Sequence, residues 1–379
     1  MKKVAHIFTS GGSHRILADK LTLLQEKGYI VETISSKKGY KEEFMKDYNL
    51  DTKFISMNRE INLVDDLKSI VKMYGLLKKE DYDIVHTHTA KAGIIGRIAA
   101  KLAGIPIVLH TAHGLPFFEG QSKLKYHMYR LFEKIGSWFC DAIGSQNQDD
   151  IKKIKAYAPN KKVYYEGNGV DLPKLDKKLK EISEEDLNKI REQWNIGEDT
   201  KIILKAARFE PVKNHQFLLK GLKKLINEYN NDFLCLLAGK GHLKEEIKEL
   251  INDYGLNNNV KIIGYQTNIF HYIKLADLVV LTSKKEGVPR IIMESMAFSK
   301  PVIATDVLGT RDVVEHDKTG YLVSLGDVKN LANYLNKLLI NKKLRKRFGE
   351  ASRQVIEKGF TEQIVVDRLD EIYQQLLNV

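Results

Sequence analysis

Twice along this chain, short apolar runs rich in β-branched residues alternate with amphipathic segments of helical period, and no other feature restricts the fold so much. The first series opens with "KVAHIFT", a buried-strand pattern. The turn "SGGSH", the helix "RILADKLTLLQEKG" with its terminal glycine, and the strand "YIVETISS" follow. It continues through "DYDIVHTHT", "KAGIIGRIAAKLAG" and "IPIVLHTAH". Strand, glycine turn, helix and strand in that order build a parallel sheet, because parallel neighbours need a crossover long enough for a helix. The alternation stops at "KVYYEGNGVDLPKL", and a charged stretch to about residue 198 has little apolar periodicity. A second series runs from "KIILKAAR" through "NHQFLLKGLKKLINEY", "FLCLLAG", "LKEEIKELINDYG", "VKIIGY" and "IFHYIKLA" to "DLVVLTS". At 379 residues the chain exceeds one ordinary core. The expectation is therefore an α/β protein of two halves, residues 1–170 and 199–360, with a junction near Gly167 to Asp171 and a linker over 171–198. Such folds bind ligands at the carboxyl edges of their sheets, so a cleft between the halves is the expected site. The last helix, within residues 361–377, is expected to pack back on the first half.

Apolar residues make up 43% of the chain and prolines number only 7, which excludes a disordered protein. The longest apolar tract, "AGIIGRIAAKLAGIPIVL", is broken by Arg97, Lys101 and Pro106 and is too interrupted to span a bilayer. Two distant cysteines and a start without a signal-peptide pattern lead us to expect a cytoplasmic location. Residues 1–170 hold 27 Lys/Arg against 19 Asp/Glu, and the rest 34 against 30, so the first half carries most of the +12 charge. Such a bias suits an anionic partner or, equally, a lysine-rich solvated surface.

In "KKEGVPRIIMESMAFSKPVIATD" two glutamates, Glu286 and Glu294, stand on either side of a helix start. Pro289 falls near the first helical position, where its missing N–H costs nothing. Free amides and the positive end of the helix dipole there suit an anion. Glutamates beside an anion site can accept hydrogen bonds from sugar or ribose hydroxyls; on spacing alone they can equally be a first-turn glutamate and a solvated one. In "LKAARFEPVKNH" a strand ends at Arg208 and Lys213 follows five residues later, a pair able to clamp a diphosphate through a planar fork and a point charge. Together the two segments point to one nucleotide-sugar pocket.

These segments, with "SGGSHR", "HTAHGLPF", "GNGVD", "LLAGKG", "IIGY" and "GTRDVVEHDKTGYLV", make the chain resemble a family 4 retaining glycosyltransferase with the GT-B fold, two facing Rossmann-like domains. The resemblance runs the length of the chain and includes enzymes of bacterial capsule, exopolysaccharide and O-antigen assembly. It implies that Arg208 and Lys213 hold the donor diphosphate, that Glu294 binds the ribose, and that Glu286 meets the donor-sugar hydroxyls. It further implies backbone amides from Gly287 and Val288, a close phosphate approach at Gly12, a histidine beside the sugar at His113, and a base-flanking loop at Gly264 and Tyr265. Val288 stands where the family usually has phenylalanine, and Arg290 follows the proline; both bear on sugar choice.

Retention without a second aligned carboxylate implies, by the same resemblance, front-face displacement in which the departing diphosphate oxygen helps deprotonate the acceptor hydroxyl. No metal and no cofactor are expected. His86 and His88 of "HTHT" fall on one strand face, but a lone His-X-His lacks a third ligand at recognisable spacing. His88 and Lys91, with His14 and Arg15, are assigned to the acceptor side. The segment 122–139, "SKLKYHMYRLFEKIGSWF", reads either as a core-facing helix with charged shoulders or as one lying on an anionic bilayer. The expected reaction moves a hexose or N-acetylhexosamine from a UDP-sugar to a polyprenyl-diphosphate-linked saccharide at the inner face of the cytoplasmic membrane. The rival readings are a non-hydrolysing nucleotide-sugar epimerase and a nucleic-acid-binding protein. The latter leaves the glutamate pair without a purpose, so no nucleic-acid partner is expected.

Overall fold

Among the described residues, thirteen strands form two all-parallel sheets, one of seven strands and one of six. The computed structural model describes residues 1–43, 48–58, 62–118, 121–229 and 232–378, with the side chains of Arg15 and Ile16 outside that set. The chain divides into two compact units: Met1–Asn168 with the segment from Glu362 onward, and Gly169–Thr361.

The first sheet contains β1 (Lys3–Ile7), β2 (Ile30–Ser35), β3 (Asp51–Phe54), β4 (Ile84–His88), β5 (Ile107–Ala112), β6 (Ala142–Ser145) and β7 (Lys162–Tyr165), in the order 3-2-1-4-5-6-7. Its central strands are buried end to end because helices cover both faces, which is why they read as continuous apolar runs. Helix Ala90–Ala103 lies close against the sheet. A Cβ on Gly93 would stand 2.5 Å from the His110 ring, and one on Gly96 2.7 Å from Thr87. Helix Glu362–Leu377 packs on helix His14–Glu26 and buries Val366, Leu369 and Tyr373 among Leu17, Leu21 and Leu24.

The second sheet contains β8 (Lys201–Ala206), β9 (Phe233–Ala238), β10 (Val260–Gly264), β11 (Leu278–Leu281), β12 (Val302–Thr305) and β13 (Gly320–Val323), in the order 10-9-8-11-12-13. The expected linker is corrected here. Residues 171–198 hold two helices, Leu172–Glu181 and Glu184–Trp194, whose Leu175, Leu187 and Ile190 belong to the second unit's core. The sequence signs were present: Asp171 caps the first helix, and Ser183 with Asp186 forms a capping box on the second. Their few apolar residues were outnumbered by exposed charge, which hid the periodicity.

In each sheet the strand order reverses once, at β1/β4 and at β8/β11. Loops leaving the carboxyl ends of such a strand pair diverge and open a crevice, the usual ligand position in doubly wound sheets. Gly12 follows β1 and His88 ends β4; Arg208 and Lys213 follow β8, and Glu286 follows β11.

Candidate active site

The β8/β11 switch point of the second unit is tied together by a buried lysine. Lys205, wholly enclosed in β8, donates from Nζ to the Lys213 carbonyl at 2.7 Å and to Thr282 Oγ1 at the end of β11. Thr282 Oγ1 donates in turn to the Asn214 carbonyl at 2.9 Å, and Lys284 N–H donates to the Val212 carbonyl at 2.8 Å. The two loops are thereby held in register. Burial, which the nearby Glu286 carboxylate only partly offsets, pushes the Lys205 ammonium down to about 7. The result is that Lys213 Nζ meets Glu286 Oε1 at 2.6 Å, both side chains largely enclosed. Two of the three ammonium donors of Lys213 remain for a ligand.

Arg208 sits on the same loop, 59% exposed, with Nη1 donating to Glu210 Oε1 at 2.6 Å. The loop's course depends on glycines with no room for a side chain. A Cβ on Gly239, at φ +149°, would lie 2.0 Å from the Ala207 carbonyl oxygen, and one on Gly241 would strike the Phe209 backbone. Gly309, at φ +81°, likewise packs on the Gly287 carbonyl. Gly239 N–H donates to the Gly264 carbonyl at 2.7 Å, and the exposed Tyr265 ring stands 5.0 Å from Lys240 Nζ. Helix Arg290–Ala297 begins just after Pro289, which occupies the capping position; Val288 is buried behind it. Glu294 is reached by Arg290 Nε at 3.4 Å, and burial raises its pKa above the usual carboxylate value. Close by, the Ser283 hydroxyl and both His215 nitrogens are buried without a protein hydrogen-bond partner, as groups facing ordered water or ligand are.

In the first unit, Ser10 accepts from Gly12 N–H at 3.3 Å and starts the turn into helix His14–Glu26. Gly11, rather than Gly12, is the glycine that packing requires: a Cβ there would lie 2.5 Å from that of Tyr40. His14 is buried, with Nδ1 at 2.9 Å from the Gly11 carbonyl. Arg15's side chain lies outside the described residues. His113 follows β5 and donates or accepts at 2.9 Å with His88. His88 is 1% exposed, both its nitrogens are bonded inside the protein, and Lys91 is held by Asp66 at 2.5 Å. His88 has no free ring nitrogen in this arrangement, while Lys91, tied to both Asp66 oxygens, keeps one ammonium N–H. Between them Thr89 adopts φ +64°, strained for a β-branched residue, where the chain leaves β4.

The structure thus brings Lys213 and Glu286 into contact, sets Arg208, Gly287, Val288 and Tyr265 on loops at one sheet edge, and ends β10 there at Gly264. Lys205 escaped the sequence reading, although a lysine inside the apolar run "KIILKAAR" was its signal. Helix Lys123–Ser137 packs one side inward and leaves the other exposed. Tyr126 packs on Phe117 and Glu133 on Arg97, while Leu124, Leu131 and Trp138, seven residues apart, face outward. A second outward apolar stripe, Leu63, Val64, Leu67 and Val71 on helix Leu63–Lys79, went unread. No helix among the described residues is long and apolar enough to cross a membrane.

Two family models match the chain, Glycosyl transferase 4-like over residues 4–147 and Glycosyl transferases group 1 over residues 186–355. The Staphylococcus aureus capsular polysaccharide biosynthesis glycosyltransferase CapM is 30% identical over 99% of this chain and 98% of its own. The Escherichia coli UDP-Gal:alpha-D-GlcNAc-diphosphoundecaprenol alpha-1,3-galactosyltransferase is 29% identical over 98% and 96%. Among solved structures, Anabaena HepE in complex with UDP and glucose matches with a TM-score of 0.82 at 21% identity, over 99% of this chain and 100% of that one. That likeness establishes the fold.

Proposed function

The chain belongs to the family 4 glycosyltransferases with the GT-B fold, and from that premise we propose that it is a retaining enzyme of bacterial surface-polysaccharide assembly. It moves a hexose or N-acetylhexosamine from a UDP-sugar to a polyprenyl-diphosphate-linked saccharide, without a metal, at the inner face of the cytoplasmic membrane. The observation that carries the reading is the contact of Lys213 with Glu286 at the β8/β11 switch point, 2.6 Å apart and braced by Lys205. A cation for phosphate and a carboxylate for hydroxyls are thus fixed side by side, the pairing a sugar diphosphate needs. The E. coli relative's named donor and acceptor, the capsular role of CapM and the UDP held by HepE support the donor and acceptor classes.

In this reading Lys213 and Arg208 stabilise charge that grows on the departing diphosphate, electrostatic help that is already oriented before reaction. Glu286 orients the transferred sugar and Glu294 the ribose; Gly264 and Tyr265 flank the base. On the first unit, Gly12 serves the phosphates and His113 the sugar. Helices Leu63–Lys79, Ala90–Ala103 and Lys123–Ser137 pack side by side in that unit. Their outward Leu67, Val71, Leu131 and Trp138, beside Lys68, Lys72 and Lys134, suit contact with an anionic bilayer.

The test uses purified protein in EDTA with UDP-glucose, UDP-galactose, UDP-GlcNAc, UDP-GalNAc or GDP-mannose and a bacterial polyprenyl-diphosphate-sugar extract. A gain of one sugar mass in the lipid fraction supports the proposal. Confirmed UDP binding with no lipid product from any donor refutes the acceptor class.

A further inference from the structure

A single file of buried hydrogen bonds crosses the first unit and ends at His113. It starts where Lys20, on the inner face of helix His14–Glu26, meets Glu166 Oε1 just beyond β7. The other oxygen, Oε2, receives the Thr111 hydroxyl at 2.6 Å. Thr111 Oγ1 lies 2.7 Å from His86 Nε2, and His86 Nδ1 lies 2.7 Å from the Tyr373 hydroxyl. Tyr373, on the C-terminal helix, stands 3.4 Å from His6 Nε2. His6 Nδ1 to His88 Nε2 and His88 Nδ1 to His113 Nε2 follow, each 2.9 Å. From Glu166 to His88 every member is at most 1% exposed.

The direction of each bond follows from proton counting. Glu166, ion-paired with Lys20, is a carboxylate without a proton of its own, so Oε2 can only accept and the Thr111 proton points to Glu166. A hydroxyl has one proton, so Thr111 Oγ1 must accept from His86 Nε2–H. A neutral imidazole carries one N–H, so His86 Nδ1 is bare and takes the Tyr373 proton. The same step repeats: His6 gives Nε2–H to Tyr373, His88 gives Nε2–H to His6, and His113 gives Nε2–H to His88. Burial holds these rings far below the ordinary histidine value, His6 and His113 to about 3, so all four are neutral at pH 7.

We propose that Glu166 dictates the tautomer of His113 through Thr111, His86, Tyr373, His6 and His88, leaving Nδ1 of His113 as a bare acceptor. Glu166 is then a positioning residue, four tautomers removed from its effect. A bare Nδ1 accepts a hydroxyl proton and turns away a carbonyl or phosphate oxygen, which suits the sugar-facing role assigned above; that functional consequence rests on the proposed function, while the tautomers do not. One nitrogen from each of His6, His86 and His88 lies within 4.8 Å of the other two, close enough to suggest a metal centre. All six ring nitrogens already have partners in the chain described here, so the structure assigns them to hydrogen bonding.

The experiment is two-bond proton–nitrogen correlation spectroscopy on the full-length protein labelled with ¹⁵N-histidine, at pH 7.5, for wild type, Thr111→Val and Thr111→Ser. Wild type should show His6, His86, His88 and His113 all as Nε2–H. Thr111→Val deprives His86 Nε2–H of its acceptor. The cheapest repair is reversal of the whole file, giving Nδ1–H at all four rings, and Thr111→Ser should restore Nε2–H. Mixed tautomers in wild type, resonances unmoved by Thr111→Val, or one zinc per chain lost on His6→Ala would each overturn the proposal. Turnover should fall about tenfold in Thr111→Val with the donor KM little changed. Reversed tautomers with unchanged turnover would uphold the relay and refute the sugar-facing role of His113.

Discussion

Replacing Lys205 by methionine tests whether a buried amine braces the donor loops. Methionine fills similar space but leaves the Lys213 carbonyl and Thr282 Oγ1 without their donor, at about 1–3 kcal/mol for each buried group left unpaired. The sign with pH is distinctive. The folded pKa of Lys205 is near 7, whereas an unfolded lysine titrates near 10.4, so between these values the unfolded state binds the extra proton. This group's stability contribution is complete above the unfolded pKa and is lost as pH falls through the folded one. Integrated from pH 7 to 9, the wild type gains about 2 kcal/mol that Lys205→Met cannot gain. Trp194 lies in the second unit and Trp138 in the first. In a Trp138→Phe background, Trp194 fluorescence therefore follows the second unit alone through urea titrations at pH 7, 8 and 9. The gap between wild type and variant should widen with pH. A constant gap would mean that Lys205 titrates normally and that the brace is not a buried amine.

Lys213→Ala should lower transfer by about a thousandfold and leave the Glu286 carboxylate beside the diphosphate without its partner. Adding Glu286→Gln should therefore recover UDP affinity, and calorimetry showing strictly additive losses would refute the pairing. Glu294→Gln should weaken UDP about tenfold while leaving inorganic diphosphate binding unchanged; equal losses for both would remove Glu294 from the ribose. Transfer should persist in EDTA, and a strict divalent-cation requirement would overturn the metal-free mechanism. The first unit should unfold on mild acidification, because His6, His86, His88, His110 and His113 are held neutral. Their folded pKa values lie below the unfolded value near 6.5, so this stability is lost as pH falls. Five such groups cost about 6 kcal/mol between pH 7 and 5.5. Trp138 fluorescence unchanged down to pH 4 would contradict that.

What could be read from the letters was what depends on local order. Two alternating series announce two parallel sheets because burial on both faces makes a strand a continuous apolar run. The placement of Arg208, Lys213 and Glu286 just beyond strand ends was legible because the strands before them read as short apolar runs. The helices at 172–194 were lost because Leu175, Leu187 and Ile190 are sparse among charges, and a helix packed along a narrow stripe shows little periodicity. The relay was out of reach for a different reason. Glu166, Thr111, His86, Tyr373 and His6 come from five segments as distant as β1 and the last helix, and only the parallel register of β1, β4 and β5 stacks them. A histidine alternation such as "HTHT" shows that two rings share a face; it cannot show that a third ring from β1 and a tyrosine from the C-terminal helix complete the file. Since each ring's tautomer depends on the next, the acid–base character of His113 is set by the fold as a whole. The C-terminal helix belongs with the first unit because Val366, Leu369 and Tyr373 are buried among Leu17, Leu21 and Leu24, and that docking brings the Tyr373 hydroxyl between His86 and His6.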